Sequence, residues 1–242
     1  MRILITNDDG IYFEGIRILT EWAKKLGEVT VVAPKSEQSG KSHGIELKHP
    51  FEVKDVSEEL GVTAYSIDSS PADCIRYAVL GMKEKYDLVL SGINCGYNIG
   101  FDMVYSGTVG AVFEAAALGI KGIGISTCPG GYGGIEKQLD RVYDFFVKHD
   151  LLSRCGIYNV NIPPNAGDIY LTRQGGPYYS DGFEHRGNGL YMPVGICVYE
   201  KRTNSGFDTD TVMENDISVL PLTLDRTDLS VYESIKHLKQ QA

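Results

Sequence analysis

The residues best suited to chemistry stand near the start of the chain. Asn7-Asp8-Asp9-Gly10 follows the apolar run Ile3-Leu4-Ile5 directly. Two neighbouring carboxylates repel each other if both ionise in a shielded place. A divalent cation removes that cost, and Asp, Ser hydroxyl, Asn carbonyl and water are the hard oxygen ligands that suit Mg²⁺ or Mn²⁺. The same four residues also fit a plain turn, with Gly10 at positive φ and an Asp capping a helix. Three further stretches carry polar groups of the same kind. Ser36, Ser39, Gly40 and Ser42 follow Pro34, and Ser91-Gly92-Ile93-Asn94-Cys95-Gly96-Tyr97-Asn98-Ile99-Gly100 follows another apolar run. Tyr105-Ser106-Gly107-Thr108-Val109-Gly110 leads into a helical pattern. Glycine lets backbone N–H groups approach an anion closely, and a helix N-terminus with hydroxyls is a natural phosphate site.

The elements that must position these groups read as alternating strands and helices. Strands are predicted over 2–7, 28–33, 87–91 and 121–126, with helices over 15–26, 71–80, 108–118 and 135–148. Ser70-Pro71-Ala72-Asp73 has the form of a helix start. A βαβ succession implies a parallel sheet, and ligands of such sheets bind beyond the carboxyl ends of the strands. Asp8, Asp9, Ser39 and Asn94 all fall just after strands and so share one sheet edge. The second half is richer in β: strands are predicted at 156–162, 168–172 and 191–201, a long loop or hairpin arm over 175–190, and a terminal helix over 229–239. The expected organisation is a single α/β domain, residues 1–242, with a core over 1–130 that carries the site. Residues 131–242 form a β-rich extension that packs on the core or on another subunit.

Composition narrows the possibilities. The 242 residues suit one large domain, and 43% hydrophobic with 23% charged residues is ordinary for a globular chain. No apolar run is long enough to cross a bilayer, and the N-terminus carries no signal-peptide pattern, so the expected location is cytoplasmic, off the membrane. A formal charge of −9 argues against duplex nucleic acid as a partner. Five scattered cysteines suggest neither a disulfide framework nor a thiolate zinc site.

Familiar phosphate chemistries fail one by one. Gly40-Lys41-Ser42 resembles the end of a P-loop, but Lys35 stands where its first Gly belongs. No G-x-G-x-x-G follows the first strand. An aspartyl nucleophile would want D-x-D, and Gly10 occupies the second position. No cysteine has an Arg six residues on, and no H-E-x-x-H occurs. A metal-activated water attacking phosphorus survives.

The motifs in order resemble those of the SurE family, stationary-phase survival proteins that are 5′/3′-nucleotidases. The resemblance runs from Ile3-Leu4-Ile5-Thr6-Asn7-Asp8-Asp9-Gly10 through Val32-Ala33-Pro34, Gln38-Ser39-Gly40 and Ser70-Pro71-Ala72-Asp73-Cys74. It continues through Ser91-Gly92-Ile93-Asn94 and Tyr105-Ser106-Gly107-Thr108-Val109-Gly110-Ala111 with Glu114. Later echoes are Asn159-Val160-Asn161-Ile162-Pro163, Thr172-Arg173-Gln174-Gly175 and Ile217-Ser218-Val219. The resemblance implies a Rossmann-like core, one divalent metal ion per subunit (Mg or Mn), and hydrolysis of nucleoside 5′- and 3′-monophosphates. Short polyphosphate is a further substrate in some members. It implies that Asp8, Asp9, Ser39 and Asn94 hold the metal, and that Asn98, Ser106, Gly107 and Thr108 hold the phosphate. Asp8 and Asp9 become the catalytic pair, with Asp9 as general base. It also implies a homodimer or homotetramer built by exchange of a C-terminal segment, residues 229–242, and by a hairpin arm within 175–200. Departures from the family pattern are Phe13-Glu14-Gly15 after the first turn, Lys41, His43 and Glu46 in the serine loop, Ser69-Ser70 before Pro71, and Leu220 before Pro221. None falls on an implied metal ligand. Two other readings share these residues: a broader phosphomonoesterase or exopolyphosphatase, and a nucleotide-binding protein without turnover.

Overall fold

The fold is described from a computed structural model covering residues 1–202 and 206–238. The chain opens with β1 (Arg2–Thr6), α1 (Glu14–Ala23), β2 (Glu28–Pro34), β3 (Val53–Asp55), α2 (Ser57–Leu60), β4 (Thr63–Ile67) and α3 (Pro71–Arg76), which continues as a π-helical turn over Tyr77–Gly81. β5 (Leu88–Cys95), a 3₁₀ turn (Gly100–Tyr105), α4 (Gly107–Ala117), β6 (Lys121–Thr127), α5 (Ile135–Lys148), α6 (Leu151–Arg154) and β7 (Ile157–Asn161) follow. The chain ends in β8 (Ile169–Leu171), β9 (Tyr179–Gly187), β10 (Leu190–Cys197), α7 (Asp208–Met213), β11 (Ile217–Pro221) and α8 (Leu229–Ile235).

Nine strands form one sheet in the order β3-β4-β2-β1-β5-β6-β7-β11-β8. Strands β4, β2, β1, β5, β6 and β7 run parallel, while β11 lies antiparallel to β7 and parallel to β8. Buried on both faces, the central strands read as unbroken apolar runs, as parallel strands do. Their alternate residues feed two cores. Ile3, Ile5, Val31, Leu90 and Ile125 pack with Ile16, Leu19 and Trp22 of α1 and with Leu139, Val142 and Phe146 of α5. Leu4, Val32 and Val89 pack on the opposite face against Cys74 and Ile75 of α3 and Ala111 and Ala115 of α4. The result is a three-layer α/β/α domain.

From β1 the chain moves outward through β2 to β4, then returns to place β5 on the other side of β1. The strand order therefore reverses between β1 and β5, the point where open α/β sheets leave a crevice. Asp8 and Asp9 follow β1, and Asn94 is the penultimate residue of β5. β5 runs four residues beyond the Ser91 at which the sequence reading ended it, because a bulge between Ser91 and Asn94 restores pairing with Ser126 and Thr127 of β6.

Residue 130 is no boundary in the sheet. β7, β11 and β8 continue it, and only β9 and β10 stand apart as a two-stranded hairpin. That hairpin occupies the stretch expected to hold a loop or arm. It exposes Phe183, Leu190, Tyr191, Met192 and Ile196; α8 exposes Leu229, Val231, Tyr232 and Ile235, and Leu238 is exposed just beyond it. The predicted helix at 229–239 ends at Ile235, and residues 239–242 of the expected terminal segment lie outside the described residues. No helix among the described residues is long and apolar enough to cross a membrane.

Leu4, fully buried in the strand that both cores share, sets the stability scale. Leu4→Ala is expected to cost about 2–5 kcal/mol. The loss would appear as a lower urea midpoint, with the far-UV circular dichroism of the folded state retained.

Candidate active site at the β1–β5 crevice

The Asn7–Gly10 turn is braced from within and from both sides. Asn7 donates its side-chain amide to the Gly10 carbonyl at 2.9 Å, and Gly10 has φ +107°. The Ile11 amide returns to the Pro34 carbonyl at 2.8 Å, and the Gln38 amide donates to the Asp8 carbonyl at 2.7 Å. These bonds hold the serine loop after β2 against the Asp8 backbone. On the other side the Cys95 amide donates to Asp9 Oδ2 at 3.2 Å, bringing the end of β5 to the second carboxylate.

Asp8 is 4% exposed and sits at the N-terminus of α4. Thr108 donates its hydroxyl to Asp8 Oδ1 at 2.6 Å. A Cβ on Gly107 would lie 2.9 Å from Asp8 Cβ, so only glycine lets the helix start come this close. Burial raises the Asp8 pKa, opposed by the Thr108 hydroxyl and by the backbone N–H groups of Thr108 and Gly107. Asp9 is pushed up to about 6 by burial first and then by the charge of Asp8, with Glu37 adding to the repulsion and the Cys95 N–H opposing it. Among the described residues, no Lys, Arg or His forms an ion pair with either carboxylate.

The other expected ligands differ in readiness. Asn94 donates its amide nitrogen to the Gly96 carbonyl at 2.7 Å, which leaves its oxygen as the free end. The exposed Ser39 hydroxyl is turned to Glu37 Oε1 at 2.7 Å. No group of three His, Cys, Asp or Glu side chains forms a cage among the described residues. A cation here would therefore rest on two carboxylates completed by neutral oxygens. That donor set fits a hard divalent ion, and two shielded carboxylates lacking a cationic side chain are what such an ion would relieve.

The expected phosphate residues divide into two kinds. Ser106 caps α4 by accepting the Val109 amide at 3.1 Å, so its own O–H proton stays available to an anion. Gly107 and Thr108 form the first turn of the helix, but the Thr108 hydroxyl is spent on Asp8. Asn98 is largely buried. Its amide nitrogen donates to Ser126 Oγ at 2.9 Å, and its backbone is gripped by Asn161 Oδ1 at 2.8 Å and Asn159 Nδ2 at 2.7 Å. Its side chain thus braces the loop.

Sequence reasoning gave no role to three groups now seen around the site. Glu37 meets Ser39 and acts on Asp9 electrostatically. Asn159 and Asn161 are fully buried beneath Asn98; the signal was two polar residues at period two on one face of a buried strand. Glu114, buried on α4, accepts from Arg76 at 3.1 Å and pairs with His43 Nε2 at 2.7 Å. That pair anchors the serine loop, and it involves one of the residues that depart from the family pattern.

The sign of the pH dependence follows from the raised Asp9 pKa. Its contribution to stability is complete below about pH 4, its unfolded value, and is lost as the pH rises through about 6. Asp9→Asn is therefore expected to melt above wild type in EDTA at pH 7.5. A shift of about 2–4 °C corresponds to ~1 kcal/mol in a chain of this size. The gap should close towards pH 4, and a lower melting temperature for the variant at pH 7.5 would contradict the assignment of repulsion.

Comparison with known proteins identifies the family. Residues 3–181 match the family described as Survival protein SurE. The chain is 39% identical to the 5′-nucleotidase SurE of Carboxydothermus hydrogenoformans, over 98% of this chain and 95% of that protein. It is 36% identical to the 5′-nucleotidase SurE of Thermosipho melanesiensis, over 100% and 97%. The crystal structure of SurE protein from Aquifex aeolicus superposes with a TM-score of 0.79 at 32% identity, over 98% of this chain and 99% of that one. With the match spanning the β1–β5 crevice and nearly the whole fold, the chain belongs to the SurE family.

Proposed function

We propose that this chain is a metal-dependent 5′-nucleotidase that hydrolyses nucleoside 5′- and 3′-monophosphates to nucleoside and phosphate. The observation that carries the reading is the pair Asp8–Asp9, shielded at the switch point of the sheet and, among the described residues, with no cationic side chain in an ion pair with either. Relatives named 5′-nucleotidase SurE share nearly the full chain.

In this reading Asp8, Asp9 and Asn94 hold one divalent ion, Mg²⁺ or Mn²⁺, and Ser39 joins them by turning away from Glu37. When bound, such an ion offsets charge on the phosphate and lowers the pKa of water beside it. The chain does the remaining work. Thr108 fixes the rotamer of Asp8, and the Cys95 amide holds Asp9 Oδ2, leaving Oδ1 to take a proton from the attacking water. The Ser106 hydroxyl and the positive end of α4 at Gly107 and Thr108 receive the phosphate oxygens. Asn98 keeps the loop at the height they require. In-line attack then forms the bond from the water oxygen to phosphorus and breaks the one to the ribose oxygen, which leaves as a hydroxyl with a proton from solvent.

The exposed apolar residues of the hairpin and α8 support assembly with a second copy of the chain, as a homodimer or homotetramer. An isolated two-stranded hairpin is marginal in water. A location in the cytoplasm accompanies the reading, and short polyphosphate is a secondary substrate.

Phosphate release from AMP or GMP tests the activity. It should require a divalent ion and stop in EDTA. Asp8→Ala and Asn94→Ala should each lower kcat by about 10²-fold or more; full metal-dependent activity in either would remove that residue from the site. A panel of 5′- and 3′-nucleotides, sugar phosphates and short polyphosphates ranks the substrates. Light scattering of the chain truncated before Leu229 should show a smaller assembly than the full chain, and an unchanged mass would exclude exchange of this segment.

A further inference from the structure

We infer that Asp208 is a positioning residue for the substrate loop between Asn98 and Ser106, locking that loop to the root of the hairpin arm. The inference rests on the phosphatase reading for its kinetic consequence, but its structural content stands apart. Asp208 opens α7, far along the chain from the β1–β5 crevice, and its side chain is fully buried. Among the described residues, no cationic side chain forms an ion pair with it. Three backbone N–H groups converge on it instead. Gly175 donates to Oδ1 at 2.7 Å, Thr209 to Oδ1 at 2.8 Å, and Gly100 to Oδ2 at 3.0 Å. A buried carboxylate is tolerable when its lone pairs are filled in this way.

The two oxygens serve different segments. Oδ1 binds the start of α7 and the chain entering the arm, whereas Oδ2 binds Gly100, first residue of the 3₁₀ turn. Gly100 and its neighbour Phe101 are each stitched to the same place once more. Gln174 Nε2 donates to its carbonyl at 2.9 Å, and the Phe101 amide donates to the Gly176 carbonyl at 3.2 Å. A Cβ on Gly100 would stand 2.1 Å from that Gly176 oxygen, so the strands of chain touch here through glycine.

The turn that Gly100 opens reaches both halves of the site. It ends at Ser106, the cap of α4, next to the Gly107 that abuts Asp8. It also receives the serine loop, since Ser42 donates its amide to the Tyr105 carbonyl at 2.9 Å and its hydroxyl to the Val104 carbonyl at 2.7 Å. The height of this turn thus fixes where the Ser106 hydroxyl and the helix start stand. The arm is tied into the same joint, because the Tyr179 amide donates to Asp102 Oδ2 at 3.1 Å.

Asp208→Asn separates the two oxygens. An amide oxygen in the Oδ1 position keeps Gly175 and Thr209, and its NH₂ then confronts the Gly100 N–H, donor against donor. In wild type and variant, steady-state AMP hydrolysis, calorimetric titration with Mn²⁺ alone, and amide exchange are compared. The expected result is a kcat lowered about tenfold and a raised KM. Mn²⁺ affinity should stay within about twofold, and exchange should accelerate over 98–106 but not in β1. Gln174→Leu, which removes only the bond to the Gly100 carbonyl, should shift the same quantities less and covers the case in which Asp208→Asn fails to fold. Wild-type kcat and KM in folded Asp208→Asn, with unchanged exchange over 98–106, would overturn the inference. So would loss of Mn²⁺ affinity in step with activity, which marks a general structural role. If the wild-type chain releases no phosphate, the nucleotidase reading fails on that control, and the exchange over 98–106 alone decides the role of Asp208.

Discussion

Asp8 and Asp9 are consecutive carboxylates on the turn that follows the buried run Ile3–Thr6, with no cationic side chain paired to either among the described residues. Much of the surrounding structure serves to keep them there. The apolar run of β1 and the two cores fix the strand end. The Thr108 hydroxyl and the start of α4 restrain Asp8, and the Cys95 amide restrains Asp9. Repulsion between two such carboxylates is what a divalent ion would relieve.

Topology explains why groups from distant parts of the sequence share one crevice. Because the strand order reverses between β1 and β5, no helix connection crosses above their carboxyl ends, and the turn after β1 faces the bulged end of β5. The serine loop after β2 is drawn in from the side by Gln38 and fastened at its far end by Ser42 and by His43 on Glu114. Glycines at 100 and 107 allow backbone to approach backbone, or Asp8, at distances a side chain would forbid.

Much of this was legible in the residues. The runs Ile3–Ile5 and Val29–Ala33 are apolar on both faces, which marks parallel strands, and the spacing of Ile16, Leu19 and Ala23 marks the helix between them. The polar clusters could be placed on one edge by rule. The misses have physical causes. Thr63-Ala64-Tyr65-Ser66-Ile67 mixes polar residues with apolar ones in a strand next to the edge of the sheet, so it lacks the apolar run of β1. Residues 157–171 and 217–221 were grouped with an extension because nothing local tells a strand which sheet it will join. Hydroxyl direction is set by tertiary contacts, so Thr108 turned towards Asp8 and Ser39 towards Glu37 were invisible in sequence. Nothing in the sequence singles out Asp208; only the fold brings Gly100 and Gly175 to it.

Proton counting during metal binding probes the central claim most directly. Mn²⁺ is titrated into the metal-free protein by calorimetry in buffers of different ionisation enthalpy, from pH 5.5 to 8. With Asp9 pushed up to about 6, binding at pH 6 should release about half a proton or more, and the release should fade towards pH 8. One ion per chain should bind, and Asp9→Asn should abolish the release. Binding that releases no proton at pH 6, or that persists unchanged in Asp9→Asn, would contradict the account.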